Sequence, residues 1–257
     1  MKNNFTDFSG RHYFVTGASS GIGKETAQLL ASFGAKVTLT GRNEEKLQKV
    51  KENLRGKNHA YYVKDLSEPA DDIPQWLKSI TKEEGGFDGL VHCAGFNRIR
   101  TLVSVKQNSL EEMMQVHFYS ASMLVKAFSS SSNNTGNNNS IVLAGSAAAL
   151  MGSKGQTAYA SAKGALISAS RVWAMELAPK KIRVNVASFG FIETEMIDDF
   201  KNTYPEETVK AIEKRHPLGF GNVHDAANVI VFLLSEASSF VTGQNIVADG
   251  GLTINDL

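Results

Sequence analysis

The sequence predicts a single doubly wound α/β domain on a mostly parallel, seven-stranded sheet, and three observations carry that reading. Short apolar or β-branched runs alternate with segments of helical periodicity along most of the 257 residues. A glycine-bearing turn follows the first of these runs directly. No break in composition and no linker divides the chain, so residues 1–257 read as one domain. Alternating strands and helices call for crossover connections, which lay parallel strands side by side and put helices on both faces of the sheet.

The elements follow in order. His12 to Thr16 (HYFVT) is the first strand, and from Gly21 to Phe33 the residues Ile22, Ala27, Leu29, Leu30 and Phe33 recur at helical spacing. Lys36 to Thr40, β-branched and bounded by Gly34 and Gly41, is the second strand. Asn43 to Leu54 is a charged amphipathic helix, Ala60 to Val63 a strand, Ile73 to Glu84 a helix and Gly89 to Cys93 the fourth strand. In the second half a long helix runs from Ser109 to about Ala127. Strands at Ser140 to Leu143 and Val184 to Ala187 flank a helix over Tyr159 to Leu177, and an apolar helix from Ala226 to Leu234 leads to the last strand, Asn245 to Ala248.

Two stretches break the alternation. Ser129 to Ser140 (SSSSNNTGNNNS) is uncharged and of low complexity, which predicts a floppy, solvent-exposed loop. Residues 191–221 hold helical fragments, aromatics, Pro205 and Pro217. They read either as a connection that covers the core or as a mobile substrate lid, and the lid is the expectation carried forward.

Composition excludes several function classes. Hydrophobic residues at 42% and charged residues at 21% describe a globular chain with a sizeable core. With 27 basic against 26 acidic side chains the net charge is +1, so no global field draws the protein to nucleic acid or to an anionic membrane. No run of about 18 apolar residues predicts a membrane span. The first residues, Met1 to Phe8, lack the apolar core of a secretory signal, and the lone Cys93 suits a reducing compartment; a cytoplasmic protein is expected. The six histidines show no zinc spacing with Cys93 or with one another, and no metal site is expected.

Thr16-Gly17-Ala18-Ser19-Ser20-Gly21-Ile22-Gly23 joins the first strand to the first helix. Glycine lets the backbone approach a pyrophosphate, and a helix N-terminus presents free N–H groups to it. The spacing is T-G-x-x-x-G-x-G rather than the common G-x-G-x-x-G of dinucleotide folds. Further along come Asp65-Leu66, Ser146, Tyr159-Ala-Ser-Ala-Lys163, Thr242-Gly243-Gln244 and Asp249-Gly250-Gly251. In this order and at these intervals, the set resembles the short-chain dehydrogenase/reductase family over essentially the whole chain. Pro217-Leu-Gly219 and the closing segment are most similar to its 3-oxoacyl-carrier-protein reductases. The resemblance implies a Rossmann-type fold, a nicotinamide cofactor, a ketone or alcohol substrate and a homotetramer. It also implies cofactor contacts from Gly17, Ser19, Ser20, Gly21, Ile22, Gly23, Asp65, Leu66, Ala94, Gly95, Gly190, Ile192 and Thr194, with Tyr159 and Lys163.

The second strand ends Thr40-Gly41-Arg42-Asn43, with no carboxylate to hold a ribose 2′-hydroxyl. Arg42 can fork two hydrogen bonds onto a 2′-phosphate, unless it pairs instead with Glu44 or Glu45. NADP(H) is therefore expected, with NAD(H) second.

Tyr159 and Lys163 lie one helical turn apart on a shared face. A free tyrosine titrates near pH 10, and a neighbouring ammonium and an oxidised nicotinamide ring are expected to lower that value. Tyr159 then protonates the carbonyl oxygen, and Ser146 holds the same oxygen as negative charge develops. The resemblance adds bonds from Lys163 to the ribose hydroxyls.

Three positions depart from the family. His117 stands where relatives carry an asparagine whose backbone carbonyl, in a local helix distortion, positions a water. The imidazole there is a tolerated substitution, a titrating relay or an impairment. His92-Cys93-Ala94-Gly95 replaces Asn-Asn-Ala-Gly, and Phe189-Gly190 replaces Pro-Gly.

The expected activity is an NADPH-dependent reduction of a ketone, reversible as an alcohol dehydrogenase, on a 3-oxoacyl thioester or a small or lipophilic carbonyl. The alternative is a cofactor-binding relative with a regulatory or scaffold role. Acyl carrier protein is a doubtful partner. Carrier proteins are acidic, the candidate docking cations are only Lys180, Lys181 and Arg183, and the serine- and asparagine-rich loop adds no charge.

Overall fold

A seven-stranded sheet of order β3-β2-β1-β4-β5-β6-β7 carries the fold, and every pairing in it is parallel. The structure is a computed structural model that describes residues 6–255, so the segment from Met1 to Phe5 lies outside the described residues. The strands are β1 (His12–Thr16), β2 (Lys36–Gly41), β3 (Ala60–Val63), β4 (Gly89–His92), β5 (Asn139–Ser146), β6 (Ile182–Phe189) and β7 (Asn245–Ala248). The helices are α1 (Gly21–Ser32), α2 (Glu44–Glu52), α3 (Ile73–Glu84), α4 (Gln107–Met114), α5 (Ser120–Phe128), α6 (Thr157–Leu177), α7 (Glu195–Thr203), α8 (Glu206–Lys214) and α9 (Val223–Leu234).

The strands feed two cores because side chains alternate across a sheet. Tyr13, Val15, Val91, Val142 and Ala187 face α1, α2 and α9, where Leu30, Leu47 and Ile230 are fully buried. Phe14, Leu90, Ile141, Leu143, Val184 and Val186 face α3, α5 and α6, against Leu77, Leu124 and Leu166. Strands covered on both faces become near-continuous apolar runs, which is why β1 and β4 are so plain in the sequence.

β5 and β6 are each eight residues long and pair along their whole length, twice the span that apolar content alone suggests. Their ends carry buried polar residues with specific partners. Ser140 Oγ donates to Leu233 O at 2.8 Å, Asn185 Nδ2 donates to Val241 O at 2.8 Å, and Ser188 Oγ donates to Asn245 Oδ1 at 2.6 Å. Those bonds remove the desolvation cost that otherwise keeps polar groups out of a strand core. The extra length matters to the site, since it carries Ser146 and Phe189 to the rim of the sheet.

Three further differences have physical causes. The long helix is α4 and α5 joined through a five-residue π turn at Gln115–Tyr119, the widened segment that bears His117. Residues 129–140 are mostly solvent-exposed, as expected, but the loop is tied down at specific points rather than floppy. Asn133 is buried, its Nδ2 donates to Ala127 O and its Oδ1 accepts from Thr81 Oγ1, both at 2.8 Å. Phe87 N–H donates to Asn133 O and Thr135 N–H to Phe87 O, so the loop runs as a parallel bridge beside residue 87. Asparagine side chains that mimic peptide groups hold it, and composition alone does not reveal that. Finally, residues 191–221 form α7 and α8 above a neck. Glu193 N–H donates to Gly221 O and Gly221 N–H to Phe191 O there.

Candidate active site

One cleft of about 300 Å³ lies at the carboxyl ends of the strands, where doubly wound sheets place their ligands. The loops after β1, β2, β3, β4, β5 and β6 all reach it. They bring together Gly17, Ser19, Ser20, Gly21, Ile22, Gly23, Arg42, Asp65, Leu66, Ala94, Gly95, His117, Ser146, Tyr159, Lys163, Gly190, Ile192 and Thr194. Every residue expected in the site from sequence lines this one cleft.

At its head, β1 hands the chain to α1 through a turn that only glycine permits. Gly17 has φ of +65°, and a Cβ there would sit 2.7 Å from Ala94 N. Ser20 caps α1 by position but makes no side-chain cap bond, and the first turn holds no acidic residue. The N–H groups and positive dipole end of α1 are therefore left for an anion, and the residues fit the phosphates of a dinucleotide. Arg42, exposed at the end of β2, stands beside Gly41 and Ser19 in the same wall. The surface pairing that would occupy it is taken up otherwise. Glu45 binds Lys49 at 2.7 Å, and Glu44 accepts from the Tyr61 hydroxyl at 3.3 Å. Asp65 lies across from it. Burial opposes the charge of that carboxylate, but bonds from Ser67 and the charge of Arg42 bring its pKa below the ordinary value.

At the floor, β5 and α6 bring three side chains together. Lys163 is buried rather than solvated, and its Nζ donates to Ala144 O at 2.7 Å. Ser146 ends β5 with its Oγ accepting from Ala148 N–H at 3.2 Å. Lys163 Nζ lies 5.7 Å from the centroid of the half-buried Tyr159 ring. Burial pushes the Tyr159 phenol up from its ordinary value, and the bond to Ser146 pulls it part of the way back. Lysine-driven lowering, expected from sequence, is not what this cleft shows. The same burial pulls Lys163 down to about 8, opposed by Cys93.

His117 is buried, with Nε2–H donating to Phe96 O at 2.8 Å and its ring edge-on to Tyr159 at 5.2 Å. A Cβ on Gly95 would fall 2.1 Å from His117 Cε1, so the imidazole fits only above a glycine. Burial, then the charge of Lys163, holds His117 well below the ordinary histidine value, which keeps the ring neutral. His92 Nδ1 meets Thr16 Oγ1 at 3.0 Å, and burial takes its pKa to about 3. Cys93 is pushed up to about 12 by burial, which makes it a poor nucleophile.

Some lining residues escaped the sequence reading. Phe96, Val116, Glu195 and Ile197 carry no motif, although Phe96 accepts the His117 bond through its backbone and stacks under Arg98 at 5.0 Å. Position just beyond a strand's carboxyl end was the signal that could have found Phe96. Lys180, Lys181 and Arg183 lie at the opposite end of β6, about 20 Å along the strand from the cleft. Within this chain they are not beside the pocket. Among the described residues no cluster of histidine, cysteine, aspartate or glutamate suits a metal ion, and no helix is long and apolar enough to cross a membrane.

An all-parallel doubly wound sheet, an open helix N-terminus at its switch point and a tyrosine–lysine–serine floor define the class as nicotinamide-dependent oxidoreductases. A family model described as enoyl-(acyl carrier protein) reductase matches residues 17–253. The 3-oxoacyl-[acyl-carrier-protein] reductase FabG of Thermotoga maritima is 36% identical over 252 residues, covering 95% of this chain and 98% of that protein. The 3-oxoacyl-[acyl-carrier-protein] reductase of Homo sapiens is 34% identical over 241 residues, covering 93% and 97%. Among solved structures, a short-chain dehydrogenase/reductase of Brucella melitensis, glucose/ribitol dehydrogenase, superposes with a TM-score of 0.86 at 32% identity, covering 96% of this chain and 98% of its own. An Agrobacterium tumefaciens protein described as a 2-deoxy-d-gluconate 3-dehydrogenase, solved with NADP bound, gives 0.86 at 29% identity, covering 98% and 100%. The chain belongs to the short-chain dehydrogenase/reductase family and is an oxidoreductase.

Proposed function

We propose that the protein is an NADPH-dependent ketone reductase, reversible as an alcohol dehydrogenase, with Ser146, Tyr159 and Lys163 at its reaction centre. The observation that carries this reading is their convergence on one wall of the cleft whose head is the uncapped N-terminus of α1 and Arg42. When bound, the nicotinamide cofactor supplies the hydride.

The chain's own residues do the rest. The N–H groups of Gly21, Ile22 and Gly23 hold phosphate oxygens. Arg42 and Ser19 hold the 2′-phosphate, which favours NADP over NAD; the NADP-bound Agrobacterium protein supports the same choice. Lys163 spends one of its three donors on Ala144 O and keeps two for the ribose hydroxyls. Ser146 Oγ–H donates to the substrate's carbonyl oxygen and stiffens that bond as charge develops. Tyr159 delivers the proton to the same oxygen. Residues 191–221 act as the substrate lid, contributing Ile192, Thr194 and Ile197 to the wall.

The relatives named for 3-oxoacyl-carrier-protein substrates support a 3-oxoacyl thioester. Ile99 and Leu150, apolar side chains left open on the segments after β4 and β5, support a lipophilic chain. NADPH oxidation over 3-oxoacyl thioesters, diketones and sugars tests the reading. Turnover on the thioesters or lipophilic ketones is expected, with Tyr159→Phe abolishing it while NADPH still binds. Tight NADPH binding with no turnover on any of them would select the regulatory or scaffold alternative.

A further inference from the structure

We propose that His216 is a positioning residue that latches the segment after β6, residues 191–194, against the cleft. This rests on the reading above in one respect: Ile192 and Thr194 of that segment are taken to face the bound cofactor.

The ring has both nitrogens in use. Its Nδ1 lies 2.9 Å from Ile212 O, and because a carbonyl only accepts, Nδ1 must carry the proton. Its Nε2 receives the Phe191 N–H at 3.3 Å, so Nε2 must be bare. Only one tautomer makes both bonds. The imidazole thereby ties the last turn of α8 to the first residue of the segment that leaves β6.

Packing holds the ring in that place. His216 is 3% exposed and stands edge-on to two phenyl rings, Phe191 at 5.5 Å and Phe220 at 5.2 Å, which stack on each other at 5.3 Å. The two ends of residues 191–221 are therefore clamped by one side chain as well as by the backbone bridge between Ile192 and Gly221. The latch lies at the neck, outside the chemistry, and it acts by fixing where Ile192 and Thr194 begin.

Both bonds are to backbone groups, so what the latch needs from residue 216 is an acceptor aimed at the Phe191 N–H.

Two variants separate the possibilities. His216→Phe keeps an aromatic ring and loses both bonds. His216→Gln places an amide oxygen near the Nε2 position that can accept from Phe191 N–H. Amide hydrogen exchange on the free protein reads the latch without cofactor. At pH 7.5 the Phe191 amide is expected to be protected in wild type and in His216→Gln, and about fivefold or more less protected in His216→Phe, as loss of one typical hydrogen bond requires. In turnover, His216→Phe is expected to raise KM for NADPH several-fold with kcat changed less. Equal Phe191 exchange in wild type and His216→Phe overturns the latch. Should His216→Phe not fold, loss of Phe191 protection in His216→Gln, which keeps an acceptor, overturns it alone. Normal Phe191 protection in a wild-type protein that binds no NADPH would leave the latch standing and overturn the proposed function.

Discussion

Lys163 gathers the electrostatic tension of the site into one side chain. It is 4% exposed, donates to a single carbonyl, and sits below Tyr159 with its pKa pulled to about 8 by burial. Its ammonium is the form that can hold ribose hydroxyls, so NADPH affinity should weaken as pH rises through about 8. Titrating NADPH fluorescence from pH 7 to 9 checks this, and a flat affinity would place the lysine outside the cofactor's reach. Tyr159→Phe removes the proton donor alone and is expected to lower kcat by about 10²- to 10⁴-fold, with the NADPH dissociation constant within a factor of two or so. Arg42→Asp tests the cofactor choice. A carboxylate there repels the 2′-phosphate and can accept from a 2′-hydroxyl, so the ratio of kcat/KM for NADPH over NADH should fall by at least about tenfold. An unchanged ratio would assign the discrimination to Ser19 or to backbone groups instead.

Between residue and molecule, the elements that escaped the sequence are those held by polar groups. β1, β2, β4 and the face of α6 bearing Tyr159 and Lys163 were legible because burial on both faces or helical spacing marks them directly. The outer residues of β5 and β6 were not, since Asn139 and Ser188 count as loop formers until their partners are seen. The same blindness hid the order in residues 129–140, where Asn133 substitutes for a peptide group, and hid Phe96, which contributes only a carbonyl. Arg183 is the sharpest case. A surface cation in sequence, it lies half-buried at the start of β6 and closes the end of α9. Its NH1 donates to Leu233 O at 2.8 Å and to Ser238 Oγ at 3.0 Å, and its NH2 donates to Ser235 O at 3.2 Å. Carbonyls in the last turn of a helix have no intrahelical donor, so a forked guanidinium that meets several of them is a cap built from another element. Arg183→Met should lower unfolding free energy by roughly 1–3 kcal/mol, because charge-assisted hydrogen bonds are lost, although Leu233 O keeps Ser140 Oγ as a donor. Urea denaturation reads this, and Arg183→Lys should recover only part, since an ammonium is not a planar fork. A loss below about 0.5 kcal/mol would mean that water replaces the cap, as at most surface sites.

At the scale of the whole molecule, two properties follow from what the fold buries and what it leaves bare. Val172 and Met175 on α6 are 55% and 77% exposed, and Phe240, ahead of the edge strand β7, is fully exposed. They support the homotetramer that the family resemblance implies, and sedimentation should give a mass near four times that of one chain; a concentration-independent monomer would overturn it. The second property is an acid-labile interior. His12, His92 and His117 are all buried, and burial takes His12 to about 4, His92 to about 3 and His117 well below its ordinary value. Above about pH 6.5 these rings are neutral whether the chain is folded or not, so they leave stability untouched. Below it the unfolded chain takes up protons that the folded one refuses, and stability must fall with pH from about 6.5 towards 4, by up to roughly 1.4 kcal/mol per pH unit for each ring. Carboxylates whose pKa is lowered in the fold, such as Asp65 and Asp249, add their own loss only at more acid pH, as they protonate below the ordinary carboxylate value, so the two windows separate. Urea midpoints at pH 7.5, 6.0 and 5.0 should therefore drop steeply before any carboxylate titrates. His92→Asn, which removes one such ring beside Thr16, should shallow the slope by about one proton's share. A midpoint that stays flat from pH 7.5 to 5.0 would show that these histidines are protonated inside the fold, and with that the neutral His117 above Tyr159 would fall as well.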